Sequence, residues 1–375
     1  MHTLLDKITA GVPVRVLSAT FALGLAGGTV FWLAGAPLGM LIGALITVAA
    51  AAAFGLRLFG SLPKVPLRWR DVLVPVIGLA IGASVPPDAL AQAAGWWVSL
   101  LALLVFVPVL HWAGYMTYRR LGRLDPVTAF YAAMPGGFIE ALSMGERAGA
   151  EPQMLVTLQF TRIVLCIIAV PMAFALVTGQ AVGSGSGLVL PGQENGLDPG
   201  EALALLVMGA LGWWGAVRLG MPAPVLIGPL AVSGAAHAFG LIHAAPPQWA
   251  ILVTQWVIGT SLGTRFAGME RRRLWLALRL AALYVAVAMA LAVAIGLTLA
   301  GPVGESVPAV ILAFAPGGIS EMSLVAVSLQ IGAVFVTLHH LLRIVLAVVC
   351  ARLGQRWLPT GRRPGTEEPG EGPRG

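Results

Sequence analysis

Pro135-Gly136-Gly137-Phe138-Ile139-Glu140 recurs as Pro316-Gly317-Gly318-Ile319-Ser320-Glu321, and in each copy an arginine, Arg162 or Arg343, follows the glutamate by 22 residues. Outward from this pair the offset stays at 181 without a gap. Val76-Ile77-Gly78 and Gly82 face Val257-Ile258-Gly259 and Gly263, and Arg162-Ile163-Val164-Leu165 faces Arg343-Ile344-Val345-Leu346. Before a four-residue slip the offset is 185, matching Pro37, Leu41-Ile42-Gly43 and Ala53-Phe54-Gly55-Leu56 with Pro222, Leu226-Ile227-Gly228 and Ala238-Phe239-Gly240-Leu241. Leu and Ala coincide easily in so apolar a chain; Pro, Gly, Glu and Arg in one register do not. The chain is read as two copies of one half.

Of its 375 residues 58% are apolar and 10% charged, and the mean hydropathy is +0.88, which points away from a water-soluble core. The net charge of +7 raises nucleic-acid binding as a possibility, but the basic residues lie in short loops between apolar runs. That placement is how membrane topology is set, so the expected partner is the lipid bilayer and not nucleic acid. The N-terminal apolar segment lacks a small-residue cleavage site and reads as a first span. The two cysteines, Cys166 and Cys350, fall within apolar segments and imply no disulfide.

A span needs roughly 20 apolar residues. Ten stretches come close: Val14–Ala34, Pro37–Phe59, Asp71–Val85, Gly95–Met116, Met154–Thr178, Pro199–Val217, Pro222–Ile242, Trp249–Phe266, Leu274–Ala300 and Val334–Leu353. Two apolar segments, 126–150 and 307–330, are interrupted by Pro-Gly-Gly. The expected organisation is a first repeat over 1–178, a periplasmic linker over 179–198, a second repeat over 199–358 and a disordered cytoplasmic tail over 359–375.

Charge decides whether the broken segments cross or turn back. If each turns back, the inner loops hold Lys7 and Arg15, Arg57 to Arg70, Arg119 to Arg123, Arg218, Arg265 to Arg273 and the arginines from Arg352 onward. The outer connections, around Gly35, Pro86 to Asp88, Gly179 to Gly200, Ile242 to Gln248 and Gly301 to Ser306, then hold no Lys or Arg. If each crosses, Arg265, Arg271, Arg272 and Arg273 fall outside, against the positive-inside rule. The prediction is an all-α polytopic membrane protein of about ten transmembrane helices in two inverted repeats of five, each with a re-entrant segment, both termini being cytoplasmic.

Arg162 and Arg343 lie about eight residues into their spans, ~12 Å deep at 1.5 Å per residue, and need a partner or an aqueous cavity. Glu140 and Glu321, three residues past Pro-Gly-Gly, would sit in the first turn of a half-helix, where the positive end of the dipole favours a carboxylate. Broken backbone at membrane depth is tolerated only inside protein or beside a cavity. Two readings stay open. Glu140–Arg162 and Glu321–Arg343 are structural ion pairs pinning each hairpin, or Pro135, Gly136, Gly137, Glu140, Arg162, Pro316, Gly317, Gly318, Glu321 and Arg343 form a substrate or coupling-ion site.

Gly pairs such as Gly24/Gly28 and Gly78/Gly82 mark helix-packing faces. Gly259-Thr260-Ser261-Leu262-Gly263 matches the nucleophile-elbow pattern but falls in a span, with Ala where its partner should repeat the serine, and is set aside. Adjacent His339 and His340 point about 100° apart, and with His111 and His237 they do not resemble metal-ligand spacing; no metal or cofactor is expected. Trp96, Trp97, Trp213, Trp214 and Trp249 fit an aromatic belt at the membrane interface.

At the doubled Pro-Gly-Gly-x-x-Glu the sequence resembles the Gram-negative AbrB-duplication membrane family, whose members also carry an ammonia monooxygenase label. The likeness runs over about residues 14–355 and implies an inner-membrane protein. The second copy has the family-like Glu321-Met322, the first Glu140-Ala141.

Three functions compete. An ion-gradient-coupled secondary transporter of a small, preferentially anionic solute accounts for repeats, broken segments and intramembrane charges together. Neither of the two lysines lies in a P-loop, so ion gradients are the expected energy source. A membrane regulator or sensor would need an output partner. A monooxygenase would need clustered metal ligands, so an enzyme is not expected. A homo-oligomer is left open.

Overall fold

A computed structural model describes residues 9–85, 92–178, 193 and 197–358. Lys7, the connection at 86–88, most of the 179–198 linker and the 359–375 tail lie outside the described residues. Apart from one isolated β-bridge between Leu58 and Ser61, the described secondary structure is helical.

The helices are α1 (Val14–Leu33), α2 (Gly39–Ala53), α3 (Leu67–Ala83), α4 (Trp97–Met116), α5 (Pro126–Ala132), α6 (Phe138–Ala148), α7 (Pro152–Thr178), α8 (Pro199–Arg218), α9 (Pro224–Ala238), α10 (Gln248–Gly263), α11 (Arg271–Val303), α12 (Val307–Phe314), α13 (Ile319–Leu329) and α14 (Ala333–Gly354). Six of them, α1, α4, α7, α8, α11 and α14, are long and apolar enough to cross a membrane. Leu33, Val105, Leu206 and Leu297 are large apolar side chains on their outer faces, each more than 60% exposed. Water penalises such a surface and lipid does not, and the chain is a multi-pass membrane protein. The remaining expected spans are shorter: α2 and α9 have 15 residues, α10 has 16 and α3 has 17.

The helices pack as two bundles. In one, which we term the scaffold, α2 lies against α1 and α10 while α9 lies against α8 and α3. Glycine makes these approaches close: a Cβ at Gly43 would strike the Gly27 carbonyl and one at Gly228 the Gly212 carbonyl; likewise Gly78 abuts the Leu226 carbonyl and Gly259 that of Leu41. Each contact in one half has its register-matched twin in the other. In the second bundle, the core, α7 packs on α5, α6 and α11, and α14 packs on α12, α13 and α4.

Each broken segment is a hairpin of two short helices. Asp125 caps α5 through the Thr128 amide at 2.9 Å, Ser306 caps α12 through Ala309 at 3.3 Å, and a proline opens each first turn. Pro-Gly-Gly ends them. Both hairpins return to where they began: the Glu151 amide donates to Thr128 Oγ1 at 2.7 Å, and Gly332 lies against Glu305 and Ala309. The first hairpin's base meets the first turn of α11 through an ion pair of Arg273 with Glu151, whereas the second hairpin's base follows that helix's last turn at Val303. The hairpins therefore approach from opposite ends of α11. Their tips converge at its middle, where the Tyr284 hydroxyl reaches the Ala133 carbonyl at 3.4 Å and Gly136 faces the Ile344 backbone, which a Cβ there would meet at 3.5 Å.

Candidate functional site

The spacing Gly-x-x-Glu acquires a geometric meaning here. Gly137 and Gly318 are the N-cap residues of α6 and α13, and Glu140 and Glu321 stand three positions on. Both carboxylates fold back against the N-cap glycine: a Cβ at Gly318 would strike the Glu321 carboxylate, and one at Gly137 would crowd that of Glu140. Gly137 also has φ +68°, which only glycine adopts freely. The preceding glycine serves packing: Gly317 is covered by Met322, the residue that the first copy replaces with Ala141.

The ion pairs of the structural reading, Glu140–Arg162 and Glu321–Arg343, are not formed. Arg162 and Arg343 are buried, and each donates to a carbonyl just beyond the end of its broken helix, Met134 for Arg162 and Ala315 for Arg343. Arg343 Nη2 also donates to the Gly317 carbonyl at 2.5 Å, and Arg162 Nη2 to Gln159 Oε1 at 2.8 Å. A helix end with open carbonyls carries partial negative charge, so the backbone itself satisfies the guanidiniums. Gln159 and His340 occupy one register position and do similar work: Gln159 donates to the Tyr131 carbonyl at 3.0 Å, and His340 Nε2 lies 3.1 Å from that of Leu312.

The two guanidiniums are near enough to interact electrostatically, alongside Tyr284 and Cys166, and Arg162 sits 5.5 Å from the Tyr284 ring centroid. Neither has a carboxylate partner among the described residues, and both Nε atoms and the Tyr118 hydroxyl are buried without a hydrogen bond. Tyr118 stacks on Tyr284 with centroids 5.9 Å apart. Buried positive charge beside unused donors suits an anion or ordered water.

The glutamates part company. Glu140 is exposed and has no ion partner among the described residues. Glu321 is 2% exposed and pairs with Arg70 Nη2 at 2.8 Å. Arg70, expected in an inner loop, stands instead in the first turn of α3, which starts at Leu67, not Asp71.

The remaining motifs settle readily. Gly259 to Gly263 lies in α10 as continuous helix, which removes the nucleophile elbow. His339 is engaged by the Phe335 carbonyl at 2.8 Å and Ser99 Oγ at 2.9 Å. Gly24 and Gly28 receive Thr260 and Met40, as packing faces should.

A family described as "Transition state regulatory protein AbrB" matches residues 40–359, which takes in both Pro-Gly-Gly hairpins and their arginines. The chain belongs to the AbrB family. It is also 26% identical over 350 residues, 87% of its own length and 89% of the relative's, to an uncharacterized protein, YhjN, of Bacillus subtilis (strain 168).

For this AbrB-family chain the sequence named the Pro-Gly-Gly tips, the glutamates and the arginines, and the structure brings the tips and arginines together. It missed Arg70, which reads as one of several loop arginines, Tyr118, which falls just past an expected span beside Arg119, and Tyr284, which looks like an ordinary apolar-span residue. Gln159 and His340 carried a signal: two polar residues at one register position in otherwise apolar helices.

Proposed function

We propose that this AbrB-family protein is a secondary transporter of a small solute, with ten spans in two inverted repeats and a re-entrant hairpin in each, coupled to an ion gradient across the inner membrane, with both termini cytoplasmic. The carrying observation is that two broken hairpins approach from opposite ends of α11 and converge on two buried arginines that have no carboxylate partner among the described residues. Supporting it are the twinned glycine contacts of the scaffold and the absence of Lys and Arg from the connections expected outside. The tip region, Pro135 to Glu140 and Pro316 to Glu321 with Arg162 and Arg343, is the substrate and coupling-ion site of this reading. Positive charge there favours an anion such as a small carboxylate. Neither glutamate is held by Arg162 or Arg343: Glu140 is exposed and free to take up the coupling ion, and Glu321 becomes so when its pair with Arg70 opens.

Counter-flow uptake into proteoliposomes, screened with small carboxylates and ammonium under imposed proton or sodium gradients, tests this. Flux that needs a gradient and is lost in folded Glu140→Gln and Glu321→Gln supports it; no flux under any gradient refutes it. The family's description speaks of regulation, and a membrane-embedded regulator is the reading that absence of flux would favour.

A further inference from the structure

The two bundles touch along a narrow seam. The scaffold helix α3 packs against α13 and, less extensively, α14 of the core. Across that seam runs the Arg70–Glu321 ion pair, with the glutamate side chain 3% exposed and the arginine 25%. Arg70, Asp71 and Arg265 form one electrostatic cluster there, and Arg265 stacks 5.3 Å from the Phe160 ring centroid on α7.

Among the described residues the equivalent place in the other half has no such clasp. The register partner of Arg70 is Ile251, at the outer part of α10, and Glu140 is exposed. The second arms of the two hairpins differ accordingly. In α13, Ser320 to Val327 are all buried. In α6, Glu140 and Arg147 are exposed and Ser143 is half-buried, and spacings of three and four place them on one helix face. A charged stripe from hairpin base to tip is too costly against lipid and lines water.

We propose that Arg70 is a gating residue: its ion pair with Glu321 latches the second hairpin against the scaffold, while the first hairpin's α6 lines an aqueous path to the tips. The structure is thus the state open on the first hairpin's side and shut on the second's, and transport requires the latch to break and re-form. This rests on the transporter reading for its purpose, but its test needs no flux. Breaking a buried clasp by removing one partner leaves the other charge uncompensated, so the hairpin is expected to part from α3 and not to remain sealed.

In a cysteine-free background (Cys166→Ser, Cys350→Ser), single cysteines at Ser143 and Ser320 are labelled with a membrane-impermeant thiol reagent in proteoliposomes permeabilised to expose both faces. The latch predicts fast labelling at 143, labelling at least tenfold slower at 320, a rise of several-fold at 320 when Arg70→Gln is added, and renewed protection in the exchanged pair Arg70→Glu with Glu321→Arg. Equal rates at 143 and 320, or protection at 320 unchanged by Arg70→Gln in protein that elutes monodisperse, would overturn it. A protein that labels as predicted yet shows no flux retains the latch and loses only the transport reading.

Discussion

At the scale of single residues, the arginines and glutamates of the doubled motif separate into two trades. Arg162 and Arg343 hold the open carbonyl ends of broken helices, so their removal strands buried acceptors and collapses the tip. Arg343→Met should lower stability by about 3 kcal/mol, read as a melting shift in detergent. Arg343→Lys should recover only part of it, because one ammonium on a flexible stem does not match a fork that reaches both Ala315 and Gly317. Glu140→Gln, at an exposed position, should melt like the parent. Gly318→Ala places a methyl where the Glu321 carboxylate lies; it should cost about 1–3 kcal/mol, and clearly less when Glu321→Ala has already emptied that space, as a double-mutant cycle would measure. The motif itself was plain in the sequence, because proline and glycine are unambiguous about backbone. The partners of its charges were not, since a backbone carbonyl has no letter in the sequence and Arg70 lies 251 residues from Glu321.

Helices and hairpins give a different picture of legibility. The ten expected spans all correspond to helices, yet α2 and α9 end well short of their apolar runs, at Ala53 and Ala238, because exposed Phe54, Leu56, Phe239 and Leu241 keep the sequence apolar through the turns at Gly55 and Gly240. The glycine pattern was informative: a residue without a side chain, repeated in register, marks where helices touch. Gly43→Ala and Gly228→Ala should each destabilise by about 2 kcal/mol, since backbone and not a movable side chain stands in the way. At the second hairpin's base, burial raises the Glu305 carboxyl above its ordinary range. The folded state then holds that proton more tightly than the unfolded chain, so the group's cost is absent in acid and grows as pH rises from the unfolded value through the folded one. Glu305→Gln should therefore melt slightly higher than the parent at neutral pH, by less than ~1 kcal/mol for a half-buried group, and the difference should vanish near about pH 4.

In the molecule as a whole, a scaffold of twinned helix contacts stands beside a core whose two hairpins approach a shared centre from opposite ends of α11. Internal repetition and charge placement led there from the sequence. The seam between scaffold and core did not come from it, because such a seam arises from pairs of helices far apart in the chain. Sidedness tests the whole scheme most directly. Single cysteines at Arg147, on the first hairpin's base, and at Gly301, beside the second's, are to be labelled by an impermeant reagent in sealed, right-side-out vesicles of the inner membrane. The account predicts labelling of Gly301→Cys from outside and of Arg147→Cys only after the vesicles are opened; both residues labelling from the same face would contradict it.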